Sequence, residues 1–241
     1  MSLFPWKSNE DSLFEIVKDF TSLFFPEFCL GCSENLLSGE DIICTKCLLH
    51  LPRTDYLTYQ ENPIYERFIG RLPIKFASAF LRFRKAGIVQ HLLHQLKYNN
   101  HPEVGLKLGM LFGEELNKYF TEMPFDLIIP VPLFSSRQRN RGYNQSSKFA
   151  EGISNATNVP FDESCCMRTY NTTTQTRKTK SERWQNVNQA FLVTNENKII
   201  NKHVLLVDDV MTTGATLEAC GTELIKRGCA SLSIACIAEA Q

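Results

Sequence analysis

VLLVDDVMTTGAT, residues 204–216, joins an apolar run to two adjacent carboxylates and then to a stretch of small and hydroxyl-bearing residues. The run Val204 to Val207 shows no alternation, which is the pattern of a strand covered on both faces. DLIIPVPL (126–133) and CASLSIACIA (229–238) read the same way. Between the second carboxylate and the last of these runs, Ala215 to Arg227 is long enough for one crossover helix. Strand, helix, strand in this order predicts an α/β fold with a central parallel sheet and flanking helices, whose ligands gather outside the carboxyl ends of the strands.

Asp208 and Asp209 fall at such a carboxyl end, and Thr212, Thr213, Gly214, Ala215 and Thr216 fall at the start of the next helix. The free N–H groups of a helix N-terminus bind anions, and small side chains let a phosphate reach the main chain. The two acids suit the opposite task. Carboxylates accept hydrogen bonds, so beside a phosphate cradle they match the paired hydroxyls of a ribose, directly or through Mg²⁺ and water. The plainer alternative is that a strand-end Asp and a Thr cap merely start the next helix. A receiver domain of two-component signalling also carries an acidic pair after a strand, but near its beginning, and too little chain follows Asp209 here.

The whole chain sets outer bounds. It has 241 residues, 43% of them hydrophobic and 22% charged, enough for one main core and a small second module. Lys and Arg together number 26, as do Asp and Glu, so no global field draws the chain to nucleic acid or anionic lipid. The first residues do not read as a signal peptide, because Asp11, Glu15, Lys18 and Asp19 interrupt the apolar pattern. No apolar run is long enough for a membrane span, and the expected location is cytoplasmic. From Ser12 to Phe24 the apolar residues recur at helical spacing until Pro26, an amphipathic leader helix that docks on the protein itself, or else on a membrane surface or a partner.

Nine cysteines without a secretory signal point to reduced thiols or metal ligands. Cys29 and Cys32 form one CxxC, Cys44 and Cys47 a second. Two such knuckles can place four thiolates around Zn²⁺ at about 2.3 Å. A thioredoxin-like redox pair would not need a twin, and four cysteines leave no open position for water, so the expected metal is structural. His50 is a secondary candidate ligand. His91 and His94, spaced for one helix face, lack a third ligand nearby in sequence and read as ordinary packed or surface histidines. FASAFLRF (76–83) reads as a strand and Ile88 to Lys97 as a helix.

Two segments concentrate positive charge. Arg137, Arg139, Arg141 and Lys148 have no acid among them, and Arg168, Arg177, Lys178, Lys180 and Arg183 face only Glu182. The first cluster suits a polyphosphate, or else a solvated basic face. The second opens on the apolar-poor stretch TYNTTTQTRKTKSER (169–183), which buries little surface and is expected to be mobile when empty.

With LKY (96–98), PVPL (130–133), RQRNRGYNQS (137–146), QTRKTKSERWQNV (175–187) and the double CxxC, the stretch 204–216 makes the chain resemble the ComF/GntX family of phosphoribosyltransferase-like proteins from end to end. The resemblance implies a type I phosphoribosyltransferase fold and, in some relatives, a connection with DNA uptake in competence. It divides the chain into a leader (1–28), a zinc-binding module (29–58) and a phosphoribosyltransferase domain (59–241) whose motif-bearing core is 122–241. The implied ligand is Mg²⁺ with 5-phosphoribosyl 1-pyrophosphate. Asp208 and Asp209 would hold the ribose hydroxyls, and the main chain from Thr212 to Thr216 the 5′-phosphate. Pro130, Val131, Arg137, Arg141 and Lys97 would complete the ligand site. Arg183 joins the acid pair as a catalytic candidate, in a flexible loop from Arg168 to Asn186 that closes over the site.

By the same resemblance a nucleophile displaces pyrophosphate from C1 of the sugar, the protein acting by electrostatics and exclusion of water rather than through its own nucleophile. Purine-salvage relatives generally carry an acid where this chain has Thr212, so ordinary purine salvage is not the expected reaction. Two classes of function remain open. One is a transferase with an unidentified acceptor; the other is a sugar-phosphate-binding protein without turnover, with DNA or a competence-machinery protein as partner.

Overall fold

The computed structural model describes residues 26–58, 62–169 and 190–240. The expected leader helix and most of the expected flexible loop lie outside them. The chain forms two compact units that divide after His50. Among its described residues the first carries the double CxxC and one short helix, α1 (Thr45–Leu49). The division falls before the sequence-based boundary at residue 58 because the segment after Leu51 runs along the larger unit's sheet. Arg82 N–H donates to Pro52 O (2.8 Å) and Thr54 N–H to Phe80 O (3.2 Å).

The larger unit opens with α2 (Pro63–Glu66), held by Asn62, whose side chain accepts from the N–H groups of Ile64 and Tyr65. It continues through β1 (Phe76–Phe83), α3 (Ile88–Tyr98), α4 (Pro102–Tyr119), β2 (Leu127–Pro130), α5 (Ser135–Arg141), α6 (Gln145–Thr157), the short strands β3 (Cys166–Arg168) and β4 (Phe191–Val193), β5 (His203–Met211), α7 (Ala215–Lys226) and β6 (Ser231–Ala240). Strands β1, β6, β5 and β2, in that order, make one wholly parallel sheet, while β3 and β4 form an antiparallel pair. The apolar runs become strands because Val204 to Val207, Ile128, Ile129 and Ile234 to Ala238 are all fully buried.

Each face of the sheet has its own cover. On one, Leu217, Cys220 and Leu224 of α7 join Phe68, Leu72, Ile129, Leu206 and Ile234 in a continuous core. On the other, the rings of Phe80 in β1, Phe112 in α4 and Phe149 in α6 meet in sequence at 5.7 and 5.8 Å between centroids. Helix α6 packs on both β2 and β5, so its N-terminus is carried to the carboxyl ends of those strands.

Helices α4 and α6 cross at a distance that glycine alone permits. A Cβ on Gly152 would lie 2.2 Å from Leu106 O and 2.8 Å from Gly109 Cα, and one on Gly109 would lie 2.2 Å from Phe149 O. Both neighbours are backbone and cannot rotate away. Helix propensity favours alanine over glycine by about 1 kcal/mol, but overpacking a tight contact costs about 1–3 kcal/mol. Gly152→Ala is therefore expected to lower the urea midpoint of the protein. An unchanged or raised midpoint would mean that the helices can separate without loss.

Candidate functional site

In the first unit the four sulfurs of Cys29, Cys32, Cys44 and Cys47 all lie within 4.8 Å of one another. Cys32 Sγ and Cys44 Sγ are 3.8 Å apart, and a tetrahedron with arms of about 2.3 Å has edges of about 3.8 Å. The knuckles also aim main-chain donors at the sulfurs. Cys29 Sγ accepts from the N–H groups of Cys44 (3.2 Å) and Gly31 (3.4 Å), and Cys44 Sγ from that of Cys47 (3.4 Å). Burial raises the Cys29 thiol, but the N–H groups of Cys44, Cys32 and Gly31 outweigh it and hold it at about 7. Thiolate ligation of a metal fits this donor set. His50 Nδ1 lies 2.7 Å from Lys46 O, and His50 is not among the clustered ligands.

In the larger unit the carboxyl ends of β2 and β5 lie side by side. Pro130 pairs with Val207, and Val131 N–H donates to Val207 O at 2.8 Å. The chain then turns through α5 into α6, whose cap Asn144 performs two tasks. Its Oδ1 accepts from Ser146 N–H (3.1 Å), and its Nδ2 donates to Val131 O (2.9 Å), tying the helix start to the strand end. Ser146 Oγ thereby reaches Asp208 Oδ1 at 3.0 Å, and Asp209 N–H donates to the same oxygen at 2.8 Å.

Asp209 looks elsewhere. Its Oδ2 lies 2.6 Å from Lys97 Nζ, and both side chains are about four-fifths buried. Lys97 is at the end of α3, which is fixed by Tyr143 OH donating to Leu96 O (2.5 Å). Arg141 stands over the Tyr98 ring at 5.4 Å and donates to Gln145 Oε1 at 2.9 Å. The two acids are thus unlike. Asp209 has a cation, whereas burial and then the neighbouring Asp209 charge push Asp208 up to about 7.

The segment after the acids runs from the end of β5 to the start of α7. Thr212 and Thr213 are exposed, and Gly214 caps α7 with φ +77°, a left-handed conformation that favours glycine. Of the expected polyphosphate cations, Arg137 and Arg139 sit exposed on α5, while Arg141 faces Tyr98. Lys97, Tyr98, Arg137, Arg139, Arg141 and Tyr143 share a cleft of about 630 Å³. Arg183 lies outside the described residues.

Arg168 was expected at the start of a mobile loop. It is instead the last residue of β3, with its guanidinium 5.3 Å above the Phe191 ring of β4. Burial and then nearby Arg137 pull its pKa down, against the pull of Asp208 in the other direction. Arg168 lines a second cleft with Pro132, Leu133, Asn144 and Ser147. Ser147 Oγ is buried and has no hydrogen-bond partner among the described residues. The roles of Ser146, Ser147 and Asn144 were not singled out from sequence, although all three belong to or adjoin the RQRNRGYNQS stretch; only their spacing from a helix cap could have marked them.

Residues 106–241 match the phosphoribosyl transferase domain family. The chain is 33% identical over 150 residues to the DNA utilization protein YhgH of Shigella flexneri, across 61% of this chain and 65% of that one. The chain thus spans about two-thirds of the length of these curated relatives. It is 28% identical over 225 residues to Competence protein F of Haemophilus influenzae, across 88% of this chain and 96% of that one. Among solved structures it is similar to a glutamine phosphoribosylpyrophosphate amidotransferase from B. subtilis, with a TM-score of 0.43 and 20% identity over 60% of this chain and 30% of that one. Among the described residues no helix is long and apolar enough to cross a membrane. With its parallel sheet, strand-end acid pair and glycine-capped loop, the chain belongs to the phosphoribosyl transferase domain family, in the ComF-like form that its sequence resembles.

Proposed function

We propose that the chain binds 5-phosphoribosyl 1-pyrophosphate at the carboxyl ends of β2 and β5 and transfers its phosphoribosyl group to an acceptor, releasing pyrophosphate. The observation that carries this reading is the pair Asp208 and Asp209, partly open to solvent, with the exposed Thr212 and Thr213 and the helix cap Gly214 just beyond the strand end. The acids accept from the ribose hydroxyls, and the main chain from Thr212 to Thr216 takes the 5′-phosphate. Pro130 and Val131 form the floor beneath the pyrophosphate. Arg168 and Ser147 face the cleft beside that floor, and Arg137 stands near enough to Arg168 to affect its titration, so two cations and a hydroxyl are available to the leaving group. Arg141 and Lys97 belong to the adjoining cleft. Arg183, outside the described residues, would complete the site.

Mg²⁺, if held by the two carboxylates and the diphosphate, supplies charge neutralisation to the departing group. Hard oxygen donors at Asp208 and Asp209 fit that ion. Lys97 holds the position opposite Asp209, so an incoming ligand must displace or share it. Zn²⁺ fits the four-cysteine unit and serves structure there.

A second reading, binding without turnover, draws on the cleft of Lys97, Tyr98, Arg137, Arg139 and Arg141, whose cations and exposed ring suit a nucleic acid strand. It accords with the names of relatives that speak of DNA utilization and competence. The readings separate in one assay. The protein is incubated with Mg²⁺ and 5-phosphoribosyl 1-pyrophosphate, fractionated cell metabolites are supplied, and pyrophosphate is followed. Release that depends on one fraction is expected, and binding without release by any fraction would favour the second reading.

The acid pair makes two expectations of opposite sign. Hydrogen bonds to charged groups contribute about 1.5–3 kcal/mol each, so Asp208→Asn with Asp209→Asn should weaken ribose 5-phosphate binding at least tenfold in calorimetry. The Asp208 carboxyl has a higher pKa folded, about 7, than unfolded, 3.8. The unfolded chain therefore loses this proton first, and the folded state loses stability as pH rises from about 4 to about 7. At pH 8 the single change Asp208→Asn should raise the melting temperature of the empty protein. A lowered melting point would show that the carboxylate stabilises the fold.

Protein purified without chelator should hold one zinc per chain by elemental analysis. Structural zinc contributes on the order of 10–16 kcal/mol in finger peptides at neutral pH. Cys44→Ser should accordingly abolish zinc retention and unfold residues 29–50 while the larger unit keeps its own transition. Metal-free wild-type protein with an intact first unit would remove zinc from the account.

A further inference from the structure

Two arginines hold the main-chain carbonyls of Thr212 and Thr213 from the side of α2. Arg67, which ends α2, donates from Nη1 to Thr212 O at 2.5 Å. Arg71, one turn further on, donates from Nη1 to Thr213 O at 3.1 Å and to Arg67 O at 3.0 Å. Each guanidinium also faces a carboxylate. Arg71 forms a fork on Glu218 Oε2, in the first turn of α7, through Nε (3.1 Å) and Nη2. Arg67 Nη2 lies 3.9 Å from Oε2 of Glu239, a carboxylate only 1% exposed whose Oε1 accepts from Tyr56 OH at 2.5 Å. Met211, the last residue of β5, pairs with that same Glu239. Between the two arginines, the fully buried Phe68 ring closes the space under Gly214, where a Cβ would come within 2.9 Å of Cζ.

The carbonyl of a trans peptide points opposite to its N–H. Thr212 O shares a peptide with the N–H of Thr213, and Thr213 O shares one with the N–H of Gly214. When both carbonyls are held from the side of α2, both N–H groups face the open side of the loop. A cationic donor on each carbonyl also polarises the amide and strengthens its N–H as a donor. We propose that Arg67 and Arg71 are positioning residues that hold the Thr212 to Gly214 main chain in its anion-binding orientation, with Glu218 and Glu239 fixing the two guanidiniums. This rests on the reading that the loop takes the 5′-phosphate, and it adds the device that makes an otherwise mobile threonine–glycine loop a preformed site.

The test uses full-length protein, calorimetry with ribose 5-phosphate and, separately, with magnesium pyrophosphate, and amide NMR of the free protein. Arg67→Gln and Arg71→Gln should each weaken ribose 5-phosphate by about tenfold, the lower end of what a hydrogen bond to a charged group contributes, and leave pyrophosphate affinity within twofold. The Thr213 amide should shift in the first variant and the Gly214 amide in the second. Arg71→Lys should recover part of the lost affinity. Glu218→Gln, which loosens Arg71 without altering the loop, should give a smaller loss in the same ligand and serves if either arginine variant fails to fold. Unchanged ribose 5-phosphate affinity, or equal loss of both ligands, would overturn the proposal. Wild-type protein that binds no ribose 5-phosphate would instead overturn the ligand reading, while the amide shifts would still report whether the arginines hold the loop.

Discussion

Two like charges at the end of a strand buried on both faces must be compensated, and the compensation chosen here organises everything around it. Asp209 has Lys97 at 2.6 Å, and Asp208 has, for hydrogen bonds among the described residues, the hydroxyl of Ser146 and a main-chain N–H. An exposed ion pair contributes about 0–1 kcal/mol, but this one is mostly buried and less screened by salt. It therefore fixes the end of α3, and with it Tyr98, against the strand. The hydroxyl on Asp208 likewise requires the α6 N-terminus to arrive at a set depth. Asn144 meets that requirement by gripping helix start and strand end at once.

A site built this way draws on stability supplied elsewhere. Desolvation and repulsion raise Asp208, and the exposed loop beyond it contributes little packing. The balancing terms are the fully buried strand residues on both faces and the aromatic contacts from Phe80 through Phe112 to Phe149. The glycine crossing of α4 and α6 lets the second of these layers sit close to the sheet. Core, helix crossing and acid pair are thus linked, because a shift of α6 away from α4 would also move Ser146 relative to Asp208.

What could be read from sequence follows from range. The strands 76–83, 127–130 and 203–211 and the helices 88–98 and 215–226 announce themselves through uninterrupted or periodic apolar residues, and the structure has them there. The double CxxC is local too, and its sulfurs do converge. The pairing of Lys97 with Asp209 and of Ser146 with Asp208 joins distant parts of the chain, and no spacing rule reports it. Arg67 and Arg71 belong to no recognisable motif, since their partners are main-chain carbonyls, which leave no trace in a side-chain pattern. Arg168 misled for a related reason. A cation beside a polar, threonine-rich stretch looks solvated until Phe191 is seen stacked against it.

Thr212 stands between the strand that carries the acid pair and the start of α7. Its carbonyl is taken by Arg67 and its side chain is exposed, so the residue serves the loop through its backbone. A threonine hydroxyl does not accept a proton at neutral pH, and general base catalysis needs a group that titrates near the working pH. On the proposed reading, the acceptor must therefore reach the sugar already nucleophilic or be deprotonated by another group. Asp208, pushed up by burial and by the Asp209 charge, lies beside the pair of Lys97 and Asp209, and the more fully the Asp209 charge is balanced the less Asp208 is raised. The ion pair between Lys97 and Asp209 thus bears on chemistry as well as on architecture: exchanging Lys97 for a bound cation resets the field at Asp208, and ligand binding and proton affinity are coupled through the same two carboxylates.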